Sequence, residues 1–184
     1  MFSLKNKTAV ITGAGSGIGK AIAILFARQG AFVHIIELND KAASEVVNKI
    51  KEQGGNAVAH ACDISNQLLV LKTFEHIGNT DVLVNNAGIA HIGNVEKTSP
   101  EDFEKIFHVN VKGAYNCLYA VIPQMKKNGA GVILNLCSVA AFVGIPDRFA
   151  YSMSKGAIYA MTLSVAKDYL QNNILSRNYN FQKH

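Results

Sequence analysis

The stretch TAVITGAGSGIG, residues 8–19, decides the fold of this chain. Residues 8–12 form a short apolar strand, glycines follow at every second position from Gly13 to Gly19, and apolar residues then recur at helical spacing from Ile18 to Gln29. The glycines permit a tight turn and a close approach of the backbone to a pyrophosphate, which the free N–H groups of the helix N-terminus bind. A glycine-rich turn alone also fits a structural βα turn, but a strand before it and a helix after it are the context of a dinucleotide-binding site.

Outward from this unit, apolar strands alternate with helical patterns. Strands are predicted at 31–36, 57–62, 81–84 and 131–137, and helices at 39–53, 66–77, 99–127 and 151–170. Such alternation implies right-handed crossovers and a Rossmann-like α/β fold, a doubly wound parallel sheet between two helical layers. The predicted strand order is 3-2-1-4-5, in one domain over residues 1–171. Residues 172–184 are polar and without periodicity, so we expect an irregular tail there.

Composition excludes several classes of protein. The 184 residues are 49% hydrophobic and 17% charged, which suits one packed core, and no apolar run approaches the ~18 residues of a membrane span. The net charge of +5 comes from scattered basic residues, so neither a nucleic-acid nor a membrane partner is expected. Cys62, Cys117 and Cys137 have no CxxC spacing and no histidine has partners at ligand spacing. These features predict free thiols, no metal site and a cytoplasmic location.

Glu37 strengthens the dinucleotide hypothesis. It ends the second predicted strand, 18 residues after Gly19. A carboxylate there accepts hydrogen bonds from the adenosine ribose hydroxyls and repels a 2′-phosphate, which favours NAD over NADP. The alternative is a solvated glutamate at a strand end.

The order and spacing of further motifs resemble the classical short-chain dehydrogenase/reductases. The resemblance extends over about residues 5–170 and depends on the motifs TGAGSGIG, Cys62-Asp63-Ile64, Asn85-Asn86-Ala87-Gly88, Asn110, Ser138 and Tyr151-x-x-x-Lys155. It implies that the cofactor contacts the glycine turn, Glu37 and several later residues, namely Gly13, Ser16, Gly17, Ile18, Gly19, Glu37, Asp63, Ile64, Asn86, Ala87, Gly88, Tyr151 and Lys155. In the family, the Asp63 and Ile64 positions bracket the adenine, and the turn from Asn86 to Gly88 lines the adenosine side.

The resemblance also implies four catalytic residues, Asn110, Ser138, Tyr151 and Lys155. Tyr151 is the implied acid/base, and Lys155, on the same helix face one turn later, favours the phenolate and binds the nicotinamide ribose. Ser138 is implied to hydrogen-bond the substrate oxygen. Asn110 matches an asparagine that holds a water in a proton relay, and a local helix irregularity is the alternative explanation for it.

Beyond residue 170 the sequence departs from the family pattern. Family members continue into a sixth strand, a lid over the substrate and a seventh strand, and the polar tail of this chain does not resemble them. We therefore expect the fold to lack the last two strands of the family. The apolar strand at 131–137 is then an exposed sheet edge, which invites pairing with another chain.

Two functions follow from these observations. The first is an NAD-dependent oxidoreductase that interconverts a secondary alcohol and a ketone, with a sugar or polyol, a steroid or an acyl thioester as possible substrates contacted by residues 89–97 and 139–150. The second is a truncated fragment of weak or no activity that binds NAD or another subunit. The family also implies a homo-oligomer, a dimer or tetramer, through helices 100–127 and 151–170.

Overall fold

The computed structural model describes residues 2–181, which contain one parallel sheet of six strands. The strands are β1 Thr8–Thr12, β2 Phe32–Glu37, β3 Asn56–Ala61, β4 Val82–Asn85, β5 Gly131–Ser138 and β6 Ile174–Phe181. Their order is β3-β2-β1-β4-β5-β6, and each neighbouring pair is parallel. The winding direction reverses between β1 and β4, and a crevice at the carboxyl ends of the strands is expected at such a point. The predicted α/β class and doubly wound sheet are confirmed.

Helices connect the strands and cover both faces of the sheet. They are α1 Gly17–Arg28, α2 Asp40–Glu52, α3 Gln67–Ile77, α4 Pro100–Ile106, α5 Gly113–Asn128 and α6 Phe149–Asp168, with a π-helical segment Phe107–Lys112 between α4 and α5. The predicted helix starts at Asn39, Asn66 and Ser99 are confirmed, because each of these side chains accepts a hydrogen bond from a first-turn N–H group. The single helix predicted over 99–127 consists of α4 and α5, which the π-helical segment joins without a break.

The tail forms a sixth strand, and the prediction that this strand is missing is wrong. Strand β6 pairs with β5 over its whole length, from Gly131 beside Ile174 to Ser138 beside Phe181. The five-strand order, the exposed β5 edge and the irregular tail are therefore corrected for residues 174–181, and residues 182–184 lie outside the described part of the chain. The physical reason is that β5 offers a row of backbone groups that must be paired, and Ile174 is buried beside them.

Two apolar cores lie on opposite faces of the sheet. On one face, α1 and α2 pack against alternate residues of β1 and β2 such as Ile11 and Ile35. On the other face, α3 and α5 pack against the intervening residues, among them Val10 and Ile36, and α6 joins them at the edge. The period of two along each strand thus serves both layers. Within residues 2–181, no helix combines the length and apolar character that crossing a membrane requires.

Candidate active site

A cleft of about 690 Å³ follows the carboxyl ends of the strands. Every residue predicted to bind the cofactor lines this cleft except Gly19. Two of the four predicted catalytic residues, Tyr151 and Lys155, line it as well. Ser138 and Asn110 are buried and do not line it. The fold therefore brings to one place motifs that are separated by more than a hundred residues in the sequence.

The glycine turn and the turn after β4 form one hydrogen-bonded unit. The hydroxyl oxygen of Thr12 accepts the N–H groups of Asn86 and Ala87 at 3.1 and 3.0 Å. The amide Nδ2 of Asn86 donates to the carbonyl oxygens of Thr12 and Gly13 at 2.9 and 3.0 Å. Gly13 has a left-handed φ of 63°, and a Cβ there would lie 2.7 Å from the Cα of Ala87. A Cβ on Gly19 would collide with Asn86 and Gly13, so Gly19 packs the turns together without lining the cleft.

The start of α1 fits a pyrophosphate. Its N-cap residue, Ser16, makes no side-chain capping hydrogen bond, and the first turn carries no acidic side chain. The N–H groups of this turn, together with the partial positive charge of the helix end, therefore favour an anion. Ser16, Gly17 and Ile18 all line the cleft at this point. These residues fit the diphosphate of a dinucleotide cofactor.

Glu37 lies at the end of β2, beside the glycine turn. Its Oε2 accepts the N–H of Gly15 at 3.0 Å, and its Oε1 accepts the N–H groups of Leu38 and Asn39 at 2.9 and 3.2 Å. These three bonds fix the position of the carboxylate. Each carboxylate oxygen has two lone pairs, so Oε2, which accepts one N–H group, can still accept a hydroxyl group, whereas Oε1 already accepts two N–H groups. Glu37 is thus a fixed anionic acceptor in the wall of the cleft.

Asp63 and Ile64 follow β3 and form another part of the wall. The Oδ1 of Asp63 accepts both the N–H and the hydroxyl of Ser65, at 2.9 and 2.8 Å. The buried Nδ2 of Asn116 donates to the carbonyl oxygen of Ile64 at 2.8 Å. The loop is therefore held from both sides, and the Asp63 carboxylate has a defined direction.

Asn110 joins the loop after β4 to α6. Its Oδ1 accepts the N–H of Ile89 at 2.8 Å, and its Nδ2 donates to the carbonyl oxygen of Ile89 at 2.9 Å and to the hydroxyl of Ser154 at 2.9 Å. The Ser154 hydroxyl in turn donates to the carbonyl oxygen of Tyr151 at 2.8 Å. The irregular helix considered for Asn110 is present as the π-helical segment that contains it.

Lys155 and Tyr151 lie close together beside the end of β5. The Nζ of Lys155 donates to the carbonyl oxygen of Leu136 at 2.7 Å and lies 5.8 Å from the centre of the Tyr151 ring. Lys155 is only 7% exposed, and this burial lowers its pKa, an effect that the neighbouring Cys137 partly opposes. Ser138 is buried at the end of β5, where its hydroxyl accepts the N–H of Ala140 at 3.2 Å.

Several residues of the site are not predicted by the motifs. Thr12 organises the two turns, and Lys105, Val109, Leu136 and Cys137 also line the cleft. A polar residue at the end of an apolar strand was an available signal for Thr12, whereas the others are recognisable only from the fold. Among the residues that the structure describes, no group of three or more histidine, cysteine, aspartate or glutamate side chains is placed to hold a metal ion.

Comparison with known proteins adds to this geometry. The family model of the short chain dehydrogenases matches residues 7–178. An uncharacterized oxidoreductase of Thermotoga maritima is 45% identical over 174 residues, which are 94% of this chain and 69% of that protein. A second uncharacterized oxidoreductase of the same organism is matched over 65% of its length. The chain thus spans about two thirds of the length of these curated relatives.

Solved structures are similar over nearly the whole chain. The structure of an NAD⁺-bound xylitol dehydrogenase has a TM-score of 0.94 and 32% identity, and the match covers 97% of this chain and 71% of that one. A gluconate 5-dehydrogenase from Burkholderia cenocepacia, in complex with NADP and tartrate, has a TM-score of 0.91 and 29% identity, with 96% and 71% covered. Structures similar to this chain therefore include one with NAD⁺ and one with NADP.

Proposed function

The chain belongs to the short-chain dehydrogenase family of oxidoreductases, and from this premise we propose that it interconverts a secondary alcohol and a ketone with NAD as the cofactor. One observation carries the proposal. A single cleft is lined at one side by the glycine turn and Glu37 and at another by Tyr151 and Lys155. The proposed dinucleotide site and the proposed acid/base pair therefore belong to one cleft.

The residues of the chain divide the work as follows. The glycine turn, the α1 N-terminus, Glu37 and the loop at Asp63 hold the cofactor, which supplies the hydride acceptor when bound. Tyr151 takes the proton of the substrate hydroxyl as the C–H bond of the carbon that bears this hydroxyl breaks. The Lys155 ammonium stabilises the negative charge on the Tyr151 oxygen, and Ser138 hydrogen-bonds the reacting oxygen. Asn110 holds Ile89 and Ser154 in place and serves the proton relay.

The proposal is tested by adding secondary alcohols and NAD to the purified chain and following the absorbance at 340 nm. Growth of the absorbance with an alcohol supports the proposal. Calorimetric binding of NAD without reduction by any alcohol favours the alternative of a binding or subunit-interaction protein. Absence of NAD binding contradicts the proposed oxidoreductase and leaves only subunit interaction as the alternative.

Replacement of Glu37 by serine is expected to lower the preference for NAD over NADP by about 10- to 100-fold. The reason is that a charged hydrogen bond to the ribose is worth about 1.5–3 kcal/mol and that the same charge repels a 2′-phosphate. The measurement is the dissociation constant of each cofactor by calorimetry. Glu45→Gln, an exposed change on α2, is the control. An unchanged preference in Glu37→Ser would show that the carboxylate does not contact the ribose.

A groove between α5 and α6 supports the proposed homo-oligomer. It has a volume of about 560 Å³ and an apolar lining that includes Leu118, Tyr119, Ile122 and Met161. Tyr119 is 54% exposed there, and its ring lies 5.9 Å from that of Tyr115, so the two tyrosines leave an open aromatic face at the groove. We expect light scattering to give a dimer or tetramer and Tyr119→Glu to give a smaller species. A matched change at an exposed site on β6, Tyr179→Glu, is expected to leave the mass unchanged. A wild-type monomer would contradict the proposed assembly.

The location proposed for the protein is the cytoplasm. Cys62, Cys117 and Cys137 are free and buried, which suits a reducing compartment. Fractionation of the source cells with an antibody tests this, and recovery in an extracellular fraction would contradict it.

A further inference from the structure

We propose that the alcohol taken by this site has an apolar body, not the hydroxyl-rich chain of a sugar or polyol. This inference rests on the proposed function and narrows its substrate class. It comes from two loops, residues 89–97, whose first residues line the cleft, and residues 139–150, which directly precede Tyr151, and from the side chains that they leave exposed.

The segment between Ser138 and Tyr151 begins with a run that has no polar side chain. Residues 139–146 read VAAFVGIP, so eight consecutive residues carry no side-chain nitrogen or oxygen atom. The run lies directly between the residue proposed to hold the reacting oxygen and the proposed acid/base. A polyol has several hydroxyl groups to be paired, and side chains without nitrogen or oxygen atoms offer these groups no hydrogen-bond partner.

The two loops expose apolar side chains, which we call the apolar rim and define as Ile92, Val95, Phe142, Val143 and Ile145. Their exposed fractions are 73%, 62%, 49%, 51% and 38% in that order. Exposed apolar side chains that occur together on two adjoining loops mark a surface that binds something apolar.

The rim is one structure because the two loops are hydrogen-bonded to each other. The N–H of Gly93 donates to the carbonyl oxygen of Asp147 at 3.0 Å, and the N–H of Phe149 donates to the carbonyl oxygen of Gly93 at 3.1 Å. The ring of Phe142 packs edge-on against Tyr159 of α6, with 4.6 Å between ring centres. These contacts therefore fix the backbone that carries the side chains of the rim.

The rim adjoins the proposed chemistry. Ile89 and Ala90, which begin the first loop, line the cleft, and so does Tyr151, which follows the second. Two polar side chains of the first loop have partners within the protein: the Nδ1 of His91 lies 3.8 Å from the Asp102 carboxylate, and the Oδ1 of Asn94 accepts the N–H of Lys97 at 3.0 Å. A substrate whose oxygen reaches Tyr151 and whose body extends over the two loops would therefore contact the apolar rim.

A homologous series of 2-alkanols, from 2-propanol to 2-octanol, tests the inference. Affinity for the NAD-saturated protein is measured by saturation-transfer NMR, and kcat/KM is measured in parallel. We expect both to improve by about threefold to fourfold for each added CH₂ group, the value for burying a methylene. A hexitol is expected to bind at least about 50-fold more weakly than 2-hexanol, as three to four such increments imply.

The outcomes separate this inference from the proposed function. An affinity and a kcat/KM that stay flat or fall along the series, or a hexitol that binds better than 2-hexanol, would overturn the inference that the substrate has an apolar body. The proposed alcohol oxidation would not be affected by that result. An affinity that rises along the series without any turnover would support the apolar body and contradict the proposed oxidation. If the rim instead seats a second copy of the chain, affinity for the alkanols would be flat while the measured mass depends on Val143, and that too would overturn the inference.

A pair of matched variants locates the effect. Val143→Thr keeps the shape of the exposed side chain and replaces one methyl group by a hydroxyl. We expect this variant to bind 2-octanol about fivefold more weakly, while its affinity for 2-propanol changes by less than about twofold. Val58→Thr makes the same change at a partly exposed position on β3, and no change is expected for either alcohol. Equal effects of both variants, or none from Val143→Thr, would show that the rim does not contact the substrate.

Discussion

Tyr151→Phe is expected to lower kcat by about a thousandfold while the dissociation constant for NAD changes by less than about twofold. The substitution removes one oxygen atom, and a positioned acid or base contributes about 10²- to 10⁴-fold to a rate. The hydroxyl is expected to act on the substrate proton, while many other residues of the cleft, from Gly13 to Asp63, are proposed to hold the cofactor. Stopped-flow or steady-state reduction of NAD gives the rate, and calorimetry gives the affinity.

The control for this change is Tyr159→Phe. Tyr159 is on the same helix, and its ring packs against Phe142, so the variant loses a hydroxyl and keeps the packing. Full activity is expected from it. Turnover that persists in Tyr151→Phe, or that is lost equally in both variants, would remove Tyr151 from the proposed role.

Lys155→Met is expected to lower kcat/KM by about a hundredfold or more. The substitution removes an ammonium group that lies beside the Tyr151 ring, and it leaves the carbonyl oxygen of Leu136 without its donor. Electrostatic stabilisation by one positioned group is worth about 10²- to 10³-fold. The measurement is steady-state kinetics at saturating NAD. Lys167→Met, an exposed change on the same helix, is expected to leave the kinetics unchanged.

The same variant has a second readout, in the pH dependence of stability. Burial lowers the pKa of Lys155 below its ordinary value of 10.5, so between the lowered pKa and that value the unfolded chain binds more protons than the folded protein. The free energy of unfolding of the wild type therefore contains a contribution that rises with pH through this window and is lost as the pH falls. In Lys155→Met this rise is expected to disappear. An identical pH dependence in both proteins would mean that the Lys155 amine is not desolvated.

Local pattern was enough for most of the fold. The glycine turn from Gly13 to Gly19 needs a strand before it and a helix after it, and both are present. The caps at Asn39 and Ser99 are short-range hydrogen bonds, so the sequence predicts them directly. The position of Glu37 at the end of β2 follows from the strand pattern in the same way.

Strand β6 was not predicted because polar residues, among them the consecutive Ser176, Arg177 and Asn178, interrupt its apolar ones. Ile174 and Ser176 face inward, while Leu175, Arg177 and Tyr179 are exposed, and a search for apolar runs passes over such a segment. Its pairing is decided by β5, a partner about forty residues earlier. Edge strands in general depend on such non-local pairing, which local composition does not reveal.

The sequence predicted the residues of the candidate site better than the hydrogen bonds that hold them in position. The family resemblance names Asn110, but the bonds from its amide to Ile89 and Ser154 join segments 21 and 44 residues away. Thr12 likewise acts through partners 74 and 75 residues away. These supports depend on the register between elements, and the sequence fixes that register only once the whole sheet is assembled.

The π-helical segment Phe107–Lys112 determines how the side chains of α5 are rotated about the helix axis relative to those of α4. A π-helical turn holds one more residue than the turns of α4 and α5, and in an α-helix each residue advances about 100° around the axis. The extra residue therefore lets the face with Asn110 point to Ile89 and Ser154 while the face with Tyr119 points to the groove between α5 and α6. A deletion of one residue here would make the helix regular and rotate everything after it by about that angle. After such a deletion, the protein could keep the hydrogen bonds between Asn110 and Ile89, or it could keep the apolar groove in its present orientation. It could not keep both.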